Sequence, residues 1–204
     1  MANFVTRVSF LYRLKVAFFY FFVFLIGYGF PNRFPLFAPH HVPTTLFDDW
    51  AGFRPWTIWI YISDYLLIFT PLLFVNELSE LKRFSRCVLA NFVIHFPFFL
   101  FFPTTVPHVQ VAGDSFSEKF VLLHHKIDEP LNCFPSQHVS LSYLMAILFW
   151  KTNRKVSILF FIWATLISIS TMTTKQHYFW DVIGGIGVTM LSYIIGHRKQ
   201  QSLL

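Results

Sequence analysis

Charge is what this 204-residue chain has least of: Asp, Glu, Lys and Arg make up 13% of it, ten acidic residues against sixteen basic ones. An ordinary soluble domain carries roughly 25%, so that class is excluded. Cysteine is nearly missing too, at two residues, Cys87 and Cys133. No internal repeat and no low-complexity segment divides the chain. No small-residue cleavage site follows the first apolar run, where Gly29-Phe30-Pro31-Asn32 is a poor substitute, so that run is expected to stay as an uncleaved span.

Apolar residues fill the space that charge leaves. The sequence is 55% hydrophobic and 21% aromatic, and its 28 Phe exceed what a soluble core of this size hides. Mean hydropathy is +0.54. These features describe an all-α polytopic membrane protein, with residues 1–204 as one integral membrane domain. Six spans are expected, at about Val16–Phe30, Pro55–Val75, Val88–Val106, Ser136–Trp150, Val156–Met172 and Tyr178–Ile195. The fourth is short.

The net charge of +6 does not point to nucleic acid, because the basic residues sit in small groups at the ends of apolar runs. Arg7, Arg13, Lys15, Lys82, Arg83, Arg86, Lys151, Arg154, Lys155, Arg198 and Lys199 fall on one side, eleven of the sixteen. Arg33, Arg54, Lys119, Lys126 and Lys175 fall on the other. The positive-inside rule then places both termini in the cytoplasm and residues 132–185 with their motifs at the outer, periplasmic or lumenal, face of a plasma or bacterial inner membrane. Cys87 and Cys133 lie near opposite faces, so no disulfide is expected between them.

Two motifs carry the chemistry. Phe134-Pro135-Ser136-Gln137-His138 precedes the fourth run, so Ser136 reads as a helix N-cap and the backbone N–H groups behind it as an anion site. His138 in that first turn is placed to hand over a proton; plain capping with an interfacial histidine is the competing account. In Lys175-Gln176-His177-Tyr178-Phe179-Trp180-Asp181, His177 and Asp181 are i and i+4, about 6 Å apart along one helix face. A carboxylate there is costly without a partner. An imidazole whose one nitrogen donates to a carboxylate presents the other as an oriented lone pair, a competent nucleophile. A structural His–Asp pair is the alternative.

Pro135-Ser136-x-His138 followed by His177-x-x-x-Asp181 resembles the second and third signatures of the type 2 phosphatidic acid phosphatase superfamily, whose helical core is shared with vanadium haloperoxidases. The resemblance implies that His177 attacks phosphorus, Asp181 orients it, His138 protonates the leaving alcohol, and neither metal nor other cofactor is needed. Three departures stand out. Gln137 replaces the usual Gly; Ser170-Thr171 stands where Ser-Arg is usual; and the first signature is missing, with His108 where its Arg is expected. Because phosphoryl transfer needs fixed cations or donors, Lys175, His108, Lys126 and Arg54 become the candidates, with Ser136 and Gln137, to bind the substrate phosphate. Such departures resemble the branch near inositol phosphorylceramide synthases.

The expected activity is hydrolysis of a phosphomonoester or diphosphate on a membrane lipid at the outer face, through a phosphohistidine. Transfer of a phosphoryl or phospho-headgroup to a lipid alcohol is the enzymatic alternative, and a non-catalytic lipid-binding protein or transporter the other. Among remaining residues, Asp64 in the second span is expected to pair with His95 of the third. Gly184, Gly185 and Gly187 are read as helix packing. Thr45–Phe53 is either an interfacial helix dipping Phe47, Trp50 and Phe53 into lipid or an irregular loop. His124-His125-Lys126 with Asp128 and Glu129 fits no zinc spacing and is expected to be a solvated loop.

Overall fold

Ser9 accepts from the Tyr12 N–H and starts α1 (Phe10–Phe24) in a computed structural model that describes residues 7–107 and 109–201, the side chains of 198–201 excepted. A π-helical turn (Leu25–Gly29) carries α1 into α2 (Phe30–Arg33). Phe18, Phe21 and Phe22 are exposed along α1, an apolar surface that lipid and not water would cover.

The second span is a 3₁₀ turn (Pro55–Thr57), α4 (Ile58–Ile62) and α5 (Asp64–Phe74), which join at Ser63. Trp163 Nε1 donates to the Ser63 hydroxyl at 2.7 Å and ties that junction to α9 (Arg154–Thr173). The third span is α6 (Leu78–Phe101) and the last helix is α10 (Phe179–Gln201). Between them lie α7 (Phe116–Ile127), opened by a Ser115/Glu118 capping box, and α8 (Gln137–Phe149).

Five stretches are long and apolar enough to cross a membrane: Phe10–Arg33, Pro55–Phe74, Leu78–Phe101, Arg154–Thr173 and Phe179–His197. The expected sixth, Ser136–Trp150, falls short of that length. Helix α8 has 13 residues, about 20 Å at 1.5 Å per residue, against a hydrocarbon core of about 30 Å. Pro135 and the Ser136 cap limit its start. Eleven of those 13 residues are buried, so α8 is a plug enclosed by other helices, with no lipid-facing stripe. It packs on α5, α6, α9 and α10. Its Leu141, Leu144, Met145, Leu148 and Phe149 meet Leu67, Phe84, Val88, Phe160 and Ile167 in the main core.

Two parallel two-residue strands, β1 (His40–His41) and β2 (Thr104–Thr105), pair His40 with Thr104, and Thr104 also bridges to Asn132. Three loops far apart in sequence are thereby tied at one end of the bundle. Helix α3 (Leu46–Ala51), with a Thr45/Asp48 capping box, decides for helix in the Thr45–Phe53 stretch. Leu46, Phe47 and Trp50 are exposed on it, whereas Phe53 turns inward against the cluster of Ile58, Tyr61 and Val121. The expectation of a solvated loop at 124–129 is also wrong: His124 and His125 are buried on α7, and Asp128 is buried just after it. The apolar stripe of α7 and its capping box outweigh the polar look of that short run.

Candidate active site

The geometry begins with the end of α9. Lys175 adopts φ of +58°, the left-handed conformation that closes many helices, and the Gln176 and His177 N–H groups both donate to the Thr171 carbonyl, at 3.0 and 3.1 Å. The chain then turns at once into α10. There Asp181 Oδ2 accepts from the Tyr178 N–H at 2.8 Å, half of a capping box. At the same level the Ser136 N–H donates to the Asp181 carbonyl at 3.0 Å, and the Ser136 hydroxyl accepts from Val139 at 3.5 Å. Helices α8 and α10 therefore start side by side.

Two glycines permit that approach. A Cβ on Gly184 would lie 2.5 Å from the Phe134 ring, and one on Gly185 would lie 2.6 Å from the Ser136 carbonyl oxygen. The packing reading thus fits Gly184 and Gly185. Gly187 is corrected, since nothing lies within 4 Å of the position its Cβ would take.

The outcome is that the His138 and His177 rings face each other with centroids 5.7 Å apart, inclined at 62°. Both residues are buried, and Asp181 is completely so. His177 Nδ1 lies 3.0 Å from the Cys133 carbonyl and 3.5 Å from Asp181 Oδ2. Both of those oxygens only accept, so Nδ1 carries the proton and Nε2 the lone pair. The carbonyl is the nearer partner, a contact the motif spacing does not reveal. Asp181 Oδ1 has no partner among the described residues.

His138 is held at both nitrogens. Nδ1 donates to Asp64 Oδ2 at 3.0 Å, and Nε2 meets the Tyr61 hydroxyl at 2.8 Å. The Ser142 hydroxyl donates to Asp64 Oδ1 at 2.6 Å. The expected Asp64–His95 pair is therefore corrected. His95 instead donates from Nδ1 to the Asn91 carbonyl at 2.8 Å and reaches the Ser140 hydroxyl at 3.3 Å. Asp64 was already suspect as an ionisable residue at membrane depth; its partner, 74 positions on, was not legible.

Of the other expected residues, Ser136 and Gln137 sit in the first turn of α8, and neither amide atom of Gln137 has a partner among the described residues. The Lys175 ammonium donates to the Asp48 carbonyl at 2.6 Å. Lys126 is exposed near the end of α7. The backbone N–H of Arg54 donates to Thr173 at 2.8 Å. His108 lies outside the described residues.

A further polar group adjoins His177. The Tyr28 hydroxyl lies 2.8 and 2.9 Å from the two Asp128 oxygens, and Asn132 Nδ2 donates to the Tyr28 carbonyl at 3.0 Å. Burial pushes the Asp128 carboxyl up, while His138 and the Tyr28 hydroxyl pull it down. Burial lowers His124 to about 4. Ligand atoms of Cys133, His177 and Asp181 lie within 4.8 Å of one another, a grouping with metal-site dimensions. Burial, and then the Asp181 charge, push the Cys133 thiol well up, so it stays protonated and donates to the Pro130 carbonyl at 3.2 Å.

One family model, described as the PAP2 superfamily, matches residues 33–195. The comparisons with curated proteins and with solved structures found no match.

Proposed function

Because the chain belongs to the PAP2 superfamily, matched across 33–195, and with it to phosphatase-type chemistry, we propose that it hydrolyses a phosphomonoester or diphosphate carried by a membrane lipid, at the outer face. The observation that carries this reading is the pair of facing imidazoles, 5.7 Å apart, each with Nδ1 held by an oxygen acceptor. His177 Nε2 attacks phosphorus; the N–P bond forms as the P–O bond to the lipid breaks, and the leaving oxygen takes the Nε2 proton of a cationic His138, which must leave the Tyr61 hydroxyl to deliver it. Water then gives its proton to His138 and attacks the phosphohistidine, releasing phosphate and restoring His177. Asp181 and the Cys133 carbonyl hold the tautomer and favour the cationic adduct.

Phosphate oxygens are received by the N–H groups at the start of α8, with Ser136 and Gln137 beside them. Lys175, His108 and Lys126 are the candidate cations. Lys175 must leave the Asp48 carbonyl to serve. Burial of both imidazoles is the observation in favour of the second reading, transfer to a lipid alcohol, because transfer requires that water be excluded.

Trapping the intermediate tests the proposal. A substrate labelled on phosphorus should leave an acid-labile, alkali-stable phosphohistidine on the wild type and none on His177→Ala, whose turnover should vanish. Phosphate release by His177→Ala at the wild-type rate would sink the assignment. Added lipid alcohols separate hydrolysis from transfer by the product formed.

A further inference from the structure

Helix α1 is pinned to the bundle near both ends. Arg13 donates to the Leu72 carbonyl and to Asn76 Oδ1; beyond the far end, Tyr28 bonds Asp128 while Asn32 and Arg33 hold Glu129. Between those ties a cavity of about 170 Å³ separates α1 from α5, lined among others by Tyr20, Phe21, Phe24, Tyr65, Ile68 and Phe69. Tyr20 spends its hydroxyl on Ser85 at 3.0 Å, and the cavity surface is apolar. Phe21 and Phe69 are exposed, so the cavity opens on a flank that lipid covers.

A second cavity, of about 450 Å³, shares Phe24 and Tyr65 with the first and continues to the polar side chains of Asn32, Arg33 and Asp128. The π-helical turn Leu25–Gly29 borders it, and such turns are frequent at functional sites. A narrow gap of about 10 Å³ is lined by Phe24, Tyr65 and Ile68 together with Asp64, Gln137 and His138. Phe24 and Tyr65 thus border all three spaces. The Tyr65 ring stands edge-on to His138, with centroids 5.8 Å apart.

The arrangement selects an amphiphile. An apolar cavity stays free of water, and the open flank admits hydrocarbon. From Tyr28 to Tyr20 the chain advances about 12 Å at 1.5 Å per residue, close to the roughly 15 Å of one leaflet in a core of about 30 Å. Polar groups stand at one end and aromatic rings at the other, the order of a lipid's headgroup and its chain. Contact with His138 through Tyr65 favours the reacting lipid over a bulk one. We infer that the cleft between α1 and α5 is the lateral entry for the substrate lipid: one hydrocarbon chain lies in the apolar cavity, and Phe24 and Tyr65 part to bring its phosphate to His138 and His177. The inference rests on the phosphoryl-transfer reading above. The chain adds little affinity over the bilayer, because lipid tails are as apolar as the cavity. It fixes the depth at which the ester meets the imidazoles, and so acts on turnover.

Photolabelling tests the cleft. The full chain, blocked by His177→Asn and held in detergent micelles, is irradiated with phosphatidate or farnesyl phosphate carrying a diazirine on the chain. For at least one probe, label is expected on residues 20–24 and 68–69. Excess unlabelled ester should reduce it at least about tenfold, and the matching diacylglycerol or farnesol less than threefold. Equal displacement by the alcohol would make the occupant an ordinary bilayer lipid. Label spread evenly over exposed residues such as Phe18 and Leu66, or no label, would leave no site in the cleft. Each of these overturns the proposal.

Kinetics give a second readout. Ile68→Trp, or Phe69→Trp if the former does not fold, narrows the cavity and should lower kcat/KM on the lipid ester at least about tenfold more than on nitrophenyl phosphate, which has no chain. Leu66→Trp, exposed on the same helix, should change neither. Equal losses on both esters would mean that the cavity does not hold the chain. A wild type that hydrolyses none of these esters would refute the catalytic reading while the labelling pattern still decides the cleft.

Discussion

Asp64, the first residue of α5, holds His138 Nδ1 at 3.0 Å from 74 positions earlier in the chain. Each imidazole therefore has its own oxygen acceptor at Nδ1, Asp64 for His138 and the Cys133 carbonyl with Asp181 for His177. A carboxylate behind an imidazole steadies the cationic form and aims the ring.

Asp64→Asn is therefore expected to slow turnover of an alkyl phosphate by about 10–100-fold, and that of a nitrophenyl phosphate, whose leaving group needs little protonation, by much less. Steady-state rates on the two esters check it. Equal losses on both would make Asp64 a structural residue only.

Gly185→Ala places a methyl group 2.6 Å from the Ser136 carbonyl. Overpacking of this kind costs about 1–3 kcal/mol and pushes the starts of α8 and α10 apart, so both Tm and kcat should fall. Gly187→Ala, which meets nothing within 4 Å, is the control and should leave both nearly unchanged. Thermal melts in detergent and phosphate release decide the pair.

Lys175 combines a positive φ with an ammonium bonded to Asp48. In Lys175→Gly the relief of the left-handed backbone, about 1 kcal/mol, offsets a lost hydrogen bond of similar size, so Tm should stay within a few degrees. Turnover reports the rest. A drop of about a hundredfold with KM for phosphate substrates raised puts the ammonium on the phosphate; an unchanged KM leaves it an anchor for α3.

His124 sits outside the membrane-crossing stretches, and burial lowers it from 6.5 to about 4. The unfolded chain thus binds a proton there at higher pH than the folded one. Its contribution is fully present above pH 6.5 and is lost as pH falls toward 4, by at most about 3 kcal/mol. Asp128, raised by burial, works in the opposite sense and costs stability as pH rises above the usual carboxylate range. His124→Gln should flatten the fall of Tm between pH 6.5 and 4; an unchanged slope would remove His124 as a cause.

What was legible in the residues alone followed from local rules. Apolar length located five spans, N-cap chemistry located the start of α8, and the i, i+4 spacing paired His177 with Asp181, although His177 lies in the turn before α10 and not on a shared helix face as expected. The tertiary structure alone decided contacts between residues distant along the chain. It sank α8 into the bundle as a short plug, gave His138 to Asp64 and Tyr61, and buried His124, His125 and Asp128. The reason is physical: in an apolar interior a polar group takes whichever partner the packing brings within 3 Å, and periodicity reports which face a residue occupies but not what stands opposite it.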